Sequence, residues 1–581
     1  MYIVPPNILK KEYMTYITKK KIKGNTYYYA EECERKNGKV SRKWQKYLGS
    51  IEKIINAIDH PLKVPLYADI FQLGSPAAYL HIIQKYNIKG IINSVLTKRN
   101  QGLSIGFYLV LAAINRGIDV VSKRSMWNWF QTTILLRLYP NASKKLLSSQ
   151  RFWDNMSSIS YVDIQSIWLK IVNTILDREQ IDLSCASFDG TNFYTFIGSF
   201  NVRCSLAKRG KNKQGRRDLR QINYALFCTR NDQFPLYFDV YEGNRHDSKE
   251  FSGIITKFFD TFKQRTVDEK GITVIFDKGN NSFENINKFT EGSTFHFVGS
   301  VKIDDHKDLA VISNQDKRLI SLNNMRLEQV KAYRITKEIY EKTLTVVVTF
   351  NNNLYTAQIK SINNEINKCL NKLSLLCTKL EDRRSGRITR GKTPTLDSVN
   401  SQVKSILSGQ YMKKLIEFSI VDYNGIPQLS YNVVASRYGE LADTYLGKNI
   451  IVTDNHEWST EDIILAYRSQ YVIEDTFKQM KNRKSGSWWP MFHWTDQMIY
   501  VHGLYCSLTL LIRALMMMKV KKEGIKISMQ KLHQKLTGIK EVINVFEQKK
   551  NKLSNQSVIS KMDEVQSRLF EIFKMNEFLS N

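Results

Sequence analysis

Cysteine is scarce. The 581 residues hold seven, at 33, 185, 204, 228, 369, 377 and 506, and none form a CxxC pair. This spacing excludes a disulfide scaffold, a zinc knuckle and a dithiol redox motif, and it fits a reducing compartment. Acid is also short: 55 Asp plus Glu stand against 86 Lys plus Arg, a net charge of +31. A folded chain so charged implies an anionic partner. Nucleic acid comes first because bound lysines and arginines release condensed counterions; a membrane surface or an acidic protein are the alternatives. No apolar run reaches the ~20 residues of a membrane span. The longest, 503–518, is interrupted by Arg513 and reads as a buried helix. MYIVPPNILKKEY has no apolar core behind a basic start, so no signal peptide is expected and the cytoplasm is the default compartment. There is no G-x-S-x-G elbow of a serine hydrolase and no repeat of fixed period.

What is present is enough for real cores. The chain is 42% apolar, and at about 150 residues per domain it makes three or four units. Residues 1–66 read as a small β-containing unit, with YYYA and KWQKYLG as strands. The preceding TKKKIKGN is either a solvated loop or a DNA-facing arm. Residues 67–180 turn helical and form a candidate DNA-binding region. LSIGFYLVLAAINRG and SKRSMWNWFQTTILLRL make two helices, the second with Ser122 as a candidate cap, and the pair suits a bundle better than a recognition unit. Residues 181–302 carry short buried strands. Between them lies a basic loop whose Lys208, Arg209, Lys211, Arg216 and Arg217 either track phosphates or form a solvated hairpin tip. Residues 303–456 look like a β-rich insertion, with one helical stripe at 362, 366, 370, 373, 376 and 380. Helices return over 457–520, and 521–581 reads as a helical, Lys-rich tail.

Three acids stand out. Asp189 follows CASF and precedes Gly190; Asp277 ends ITVIF and precedes Lys278-Gly279. Carboxylates at strand ends beside glycine turns are where α/β sheets place ligand-binding groups, although a turn Asp capping a loop has the same appearance. Glu474 lies on a patterned helix. Tyr467, Gln470, Tyr471, Glu474, Lys478 and Lys481 fall on one face, with a surface ion pair as the alternative role for the acid. His246 and His493 suit structural or DNA-contacting roles better than metal ligation.

Tyr467-x2-Gln470-x3-Glu474-x6-Lys481 resembles the Y-x2-R-x3-E-x6-K signature of insertion-sequence DDE transposases. FDGTNFYTF and VIFDKGNNS resemble the segments holding that family's two catalytic Asp residues, and QFPLYFDVYEGNRHDSKEF resembles the stretch between. Asp277 lies 88 residues after Asp189, and Glu474 a further 197 on, like the branch with a β-rich insertion before the Glu. The signature Arg is Gln470 here, which cannot make a charged bidentate contact to phosphate. Arg468 lies about 200° away around a continuous helix.

The resemblance implies an α/β fold: a ribonuclease H-like mixed sheet with helices, interrupted by the insertion and preceded by the helical region. It implies catalysis and metal binding by Asp189, Asp277 and Glu474, with Tyr467, Gln470, Lys478 and Lys481 at the DNA. An all-oxygen donor set points to Mg2+, with Mn2+ able to substitute. Expected partners are double-stranded DNA, as terminal inverted repeats and target, and a second copy in a dimeric synapse. No membrane is involved, and the location is cytoplasmic on the nucleoid. The rival functions are a transposase-derived DNA-binding protein and a metal-dependent nuclease without strand transfer.

Overall fold

The computed structural model describes residues 15–36, 39–59, 64–97, 102–210, 215–245, 247–265, 271–290, 293–548 and 552–579. The chain divides into two compact units: residues 1–71, 540–561 and 580–581, and residues 72–539 and 562–579.

In the first unit, β1 (Thr15–Ile22), β2 (Asn25–Lys36) and β3 (Lys39–Gly49) form an antiparallel sheet. The Lys-rich segment expected as a loop or arm is instead strand β1 with its turn. Ile22 pairs with Asn25 across Lys23 and Gly24, both at positive φ, as a two-residue hairpin turn needs. β4 (Tyr67–Gln72) joins a later hairpin.

The second unit begins with helices α1 (Gly74–Lys85), α2 (Ile105–Ile118) and α3 (Tyr161–Leu176). Ser104 caps α2, and every residue of α2 is buried. That helix is a core element and presents no face to a DNA groove. The expected second helix is broken into short pieces at 123–125, 126–130 and 135–138, and the Ser122 side chain makes no cap bond to the backbone. Trp129 and Phe130 are buried, so the aromatic cluster is core.

The sheet that organises this unit comprises β5 (Cys185–Thr195), β6 (Lys208–Arg209), β7 (Arg220–Thr229), β8 (Pro235–Glu242), β9 (Ile272–Ile275), β10 (Phe295–Val301), β11 (Ile320–Ser321), β12 (Val330–Ile339), β13 (Lys342–Asn351) and a later strand, β16. It is mixed: β7 lies antiparallel between β5 and β8, whereas β5, β9 and β10 run parallel. Helix α4 (Asp247–Phe262) crosses between β8 and β9.

The 303–456 stretch differs from the β-rich insertion expected. β11 to β13 extend the main sheet, and much of the rest is helical. The buried ITVI and LTVVV runs fit a doubly covered sheet, while the stripe at 362–380 builds the long helix α5 (Asn352–Arg384). That helix, the hairpin β14 (Ile416–Tyr423) and β15 (Ile426–Val433), and the shorter helices around them share an aliphatic core of their own. β16 (Lys448–Thr453) then returns between β13 and β10.

Helices α6 (Thr460–Arg468), α7 (Tyr471–Lys481) and α8 (Asp496–Lys522) follow. Ser459 caps α6 by accepting from the Asp462 backbone N–H. α8 is long and apolar enough to cross a membrane, but it is almost wholly buried in this unit, where it packs on α2 and β8. The tail is not all helical. β17 (Lys540–Gln548) and β18 (Lys552–Ile559) form the hairpin that pairs with β4 in the first unit.

Candidate active site

The alternation of β5 separates its two faces. Phe188 points into an aromatic layer, with ring centroids 4.7 Å from both Phe227 and Phe251. Phe276 of the β9 segment joins that layer at 4.9 Å from Phe251. Asp189 therefore falls on the opposite face, with Cys185 and Ser187. It does not end its strand as expected: β5 continues through Gly190 to Thr195, paired with β7 throughout. The strand that ends is its parallel neighbour.

The pairing leads toward the acids. Ser187 lies opposite Ile275, and Ile275 opposite Val298. Asp189, Asp277 and Ser300 each follow two residues after these last paired positions, Asp277 just beyond the end of β9. Asp277 keeps an extended backbone and caps the next turn, its Oδ1 accepting from the Lys278 N–H at 2.8 Å. The Ser300 Oγ lies 2.8 Å from the Tyr467 hydroxyl. Burial raises the Tyr467 pKa, the Ser300 bond opposes this, and the Asp277 charge adds to the rise. Ser300 had no signal in sequence beyond its place in an apolar run.

Both signature helices cover this face. α6 packs Ile463, Ile464 and Ala466 against Cys185, Ile275 and Val298. α7 lays Phe477 on Tyr224, at 6.3 Å between rings, and Lys481 Nζ donates to Thr191 Oγ1 at 2.6 Å. Tyr224 and Thr191 are paired on the Asp189 face. Burial pushes the Cys228 thiol up to about 12; a hydrogen bond with Thr476 opposes this and the Asp189 charge adds to it. Thr476 and Asp189 thus both act on one thiol; α7 packs on β5, and Glu474, two residues before Thr476, is on its exposed side.

The single helical face expected for Tyr467 to Lys481 is interrupted. α6 stops at Arg468, Ser469 and Gln470 form a turn, and α7 starts at Tyr471. The buried Ser469 hydroxyl donates to the Ala466 carbonyl at 2.6 Å, an alternative to the helical ladder. Gln470 consequently lies in the break. It lines a cavity of about 210 Å³ together with Tyr467 and Arg468. Glu474 is exposed, and Lys478 Nζ bonds Asp475 Oδ1 at 2.7 Å.

The basic loop is placed in part. Lys208 and Arg209 lie on edge strand β6, Arg209 Nη2 donating to Ser199 Oγ at 3.1 Å. Arg216 pairs with Asp218 at 2.9 Å and lies over the Tyr194 ring at 5.6 Å; Arg217 is exposed. Lys211 and His246 lie outside the described residues. The structure adds Arg483, which bonds the Tyr194 hydroxyl and stands 5.5 Å from the Trp489 ring centroid. Its only sequence signal was the basic Asn482-Arg483-Lys484 run after Lys481.

Three carboxylates form an all-oxygen donor set suited to a hard divalent cation. Among the described residues, no three His, Cys, Asp or Glu side chains are gathered closely enough to hold one ion.

The family model for the transposase DDE domain matches residues 183–510, more than half of the chain. The chain belongs to this DDE transposase family. The match spans Asp189, Asp277 and Glu474. No curated protein matches the chain. Among solved structures, this DDE-family chain is similar to a piggyBac transposase synaptic complex with hairpin DNA, at 9% identity and a TM-score of 0.37, over 81% of this chain and 82% of that one. At that score the likeness carries no inference about this fold.

Proposed function

We propose that this DDE-family protein is the transposase of an insertion sequence, of the branch with the Y-R-E-K type signature. It binds the element's terminal inverted repeats, cleaves at the ends and transfers the 3′-hydroxyl ends to target DNA. The reading is carried by Asp189 on β5 and Asp277 just past the end of the adjacent parallel strand β9, with the helix bearing Glu474 packed on β5. The strand order around β5, with one antiparallel and one parallel neighbour, supports a ribonuclease H-like assignment for the sheet.

In this reading the three carboxylates hold Mg2+ or Mn2+. Bound there, divalent ions activate the attacking oxygen and stabilise the leaving oxygen of an in-line phosphoryl displacement. Asp189 and Asp277 are the fixed half of the site. Glu474, in the first turn of α7, would complete the donor set. Tyr467, held by Ser300, positions the DNA end beside Asp277. Lys481, Lys478 and the Arg216–Arg483 pair around Tyr194 hold phosphates. Arg468 supplies part of the positive charge that the signature Arg would bring to the DNA end. Two ends joined in one reaction call for a homodimeric synapse.

The test is a single reaction containing purified protein, labelled DNA carrying the element's ends, magnesium and a plasmid target. Joined products are expected. Cut ends without joining would make the protein a nuclease, and a shifted but uncut band a DNA-binding protein.

A further inference from the structure

A second cavity, of about 390 Å³, is walled by Arg116, Lys123, Phe152, Trp153, His493 and Tyr505. None of the three candidate catalytic acids lines it, and neither does any other carboxylate. Its cations lack the partners that burial normally demands. Arg116 is 2% exposed; one Nη donates to the Pro490 carbonyl at 2.7 Å, and beyond the adjacent Tyr505 hydroxyl its remaining N–H groups have no acceptor. The Lys123 side chain is half-buried as a whole, but its ammonium is wholly buried and also has no acceptor. The Tyr505 ring lies 4.4 Å from Lys123 Nζ and 5.7 Å from the Arg116 guanidinium carbon. Ring faces offer such groups only a fraction of a hydrogen-bonded counter-charge.

The electrostatics agree. Burial first and Arg116 second hold the Lys123 pKa well below that of a free lysine. Burial and the same two cations push His493 down to about 3, so it is neutral at pH 7 and cannot serve as an acid. The region is positive and aromatic. A bare phosphate or sulfate would satisfy the N–H groups but leave most of the volume empty. The walls of Phe152, Trp153 and His493 suit a planar ring. The mouth is open at exposed Ser149, Arg124 and Phe492, the last 69% exposed.

We propose that this cavity binds a nucleoside monophosphate group, with its phosphate between Arg116 and Lys123 and its base against the aromatic wall. Two sources share this chemistry, a free mononucleotide and the 5′-phosphorylated end of a strand. The inference rests on the cavity alone and does not depend on DNA cleavage.

Calorimetry of the full chain tests it without metal or activity. Titrate dTMP, thymidine, inorganic phosphate and a 5′-phosphorylated tetrathymidylate. dTMP should bind saturably and at least ten-fold tighter than thymidine or phosphate. Lys123→Met, which keeps the stem and removes an unpaired buried charge, should retain the melting temperature and lose at least ten-fold in dTMP affinity. Ser149→Trp at the mouth should also weaken binding. If the tetranucleotide binds more tightly than dTMP and loses that advantage in Lys123→Met, a strand end is the source; the reverse order marks the free nucleotide. Absence of dTMP binding, phosphate binding as tight as dTMP, or unchanged affinity in a folded Lys123→Met protein would each overturn the proposal.

Discussion

The acid-bearing sheet and the 352–446 segment are built from opposite materials. Around Asp189 and Asp277 the packing is aromatic and the strands are covered on both faces. Phe227 stacks on Phe258 with centroids 4.1 Å apart, and Phe276 on Phe297 at 5.8 Å. The 352–446 segment has an aliphatic core, with Leu373 and Val403 fully buried, and its charge lies outside. It also leaves and re-enters the sheet at one point, where the Asn351 N–H donates to the Gly447 carbonyl at 2.8 Å. Asn351 caps α5 as well, accepting from the Asn353 and Leu354 N–H groups. The sheet's packing holds the strand that carries Asp189 beside the strand that leads to Asp277. The segment has its own core and is tied further to the 313–314 turn, where Asp443 accepts from the Asn314 N–H and the Ser313 hydroxyl.

The largest expected contrast is chemical. Asp189→Asn, Asp277→Asn or Glu474→Gln should each lower end cleavage by ~10³-fold or more, given the several kcal/mol that carboxylate-held metal supplies. Arg387→Ala in the exposed loop after α5 should change it less than about three-fold. Cleavage rates on labelled ends decide this, and near-normal cleavage by any one acid variant would remove that residue from the site.

Stability should divide along the same line. Phe227→Ala is expected to cost ~3–5 kcal/mol and lower the whole unit's melting temperature, and Leu373→Ala ~2–5 kcal/mol. The second effect should be local: limited proteolysis should cut within 352–446 while the sheet stays protected. A Leu373→Ala protein whose sheet is digested at the same rate would break the comparison.

Excision sharpens it further. Joining Asn351 to Gly447 through a short Gly/Ser linker should leave a folded sheet with a cooperative thermal transition. Electrophoretic mobility shift should then show DNA affinity reduced by roughly ten-fold or less, because the 13 Lys and Arg that leave are offset by 8 Asp and Glu, a net loss of 5 of the 31 positive charges. Loss of the transition would show that the segment is part of the sheet's own core.

The smallest effect lies away from both regions. Glu179 is opposed by burial, but hydrogen bonds from Lys85, Tyr86 and Lys522 win and lower its pKa to about 2. A depressed acid stabilises the fold above its unfolded pKa of ~4.3, and that contribution is lost as pH falls toward 2. Glu179→Gln should therefore cost ~1–3 kcal/mol at pH 7 and nearly nothing near pH 2. Denaturant titrations at the two pH values measure the difference.

Local chemistry was enough for several features. The stripe at 362–380, the Ser459 cap, the buried helix after 496 and the candidate acids could be read along the chain, because residue type and short spacing carry them. The break between α6 and α7 could not, since Ser469 reads as an ordinary helix residue until its hydroxyl is seen bonded to Ala466. The same holds for β1, whose lysines look like a loop until Lys23 and Gly24 close a hairpin. Composition likewise set the +31 charge and hence an anionic partner. Only tertiary structure decided that the strand of Asp189 pairs with the strand leading to Asp277, that Ser300 meets Tyr467, and that Arg116 and Lys123 meet in one cavity. Strand register and helix packing join residues tens to hundreds of positions apart, and no local pattern encodes those pairings.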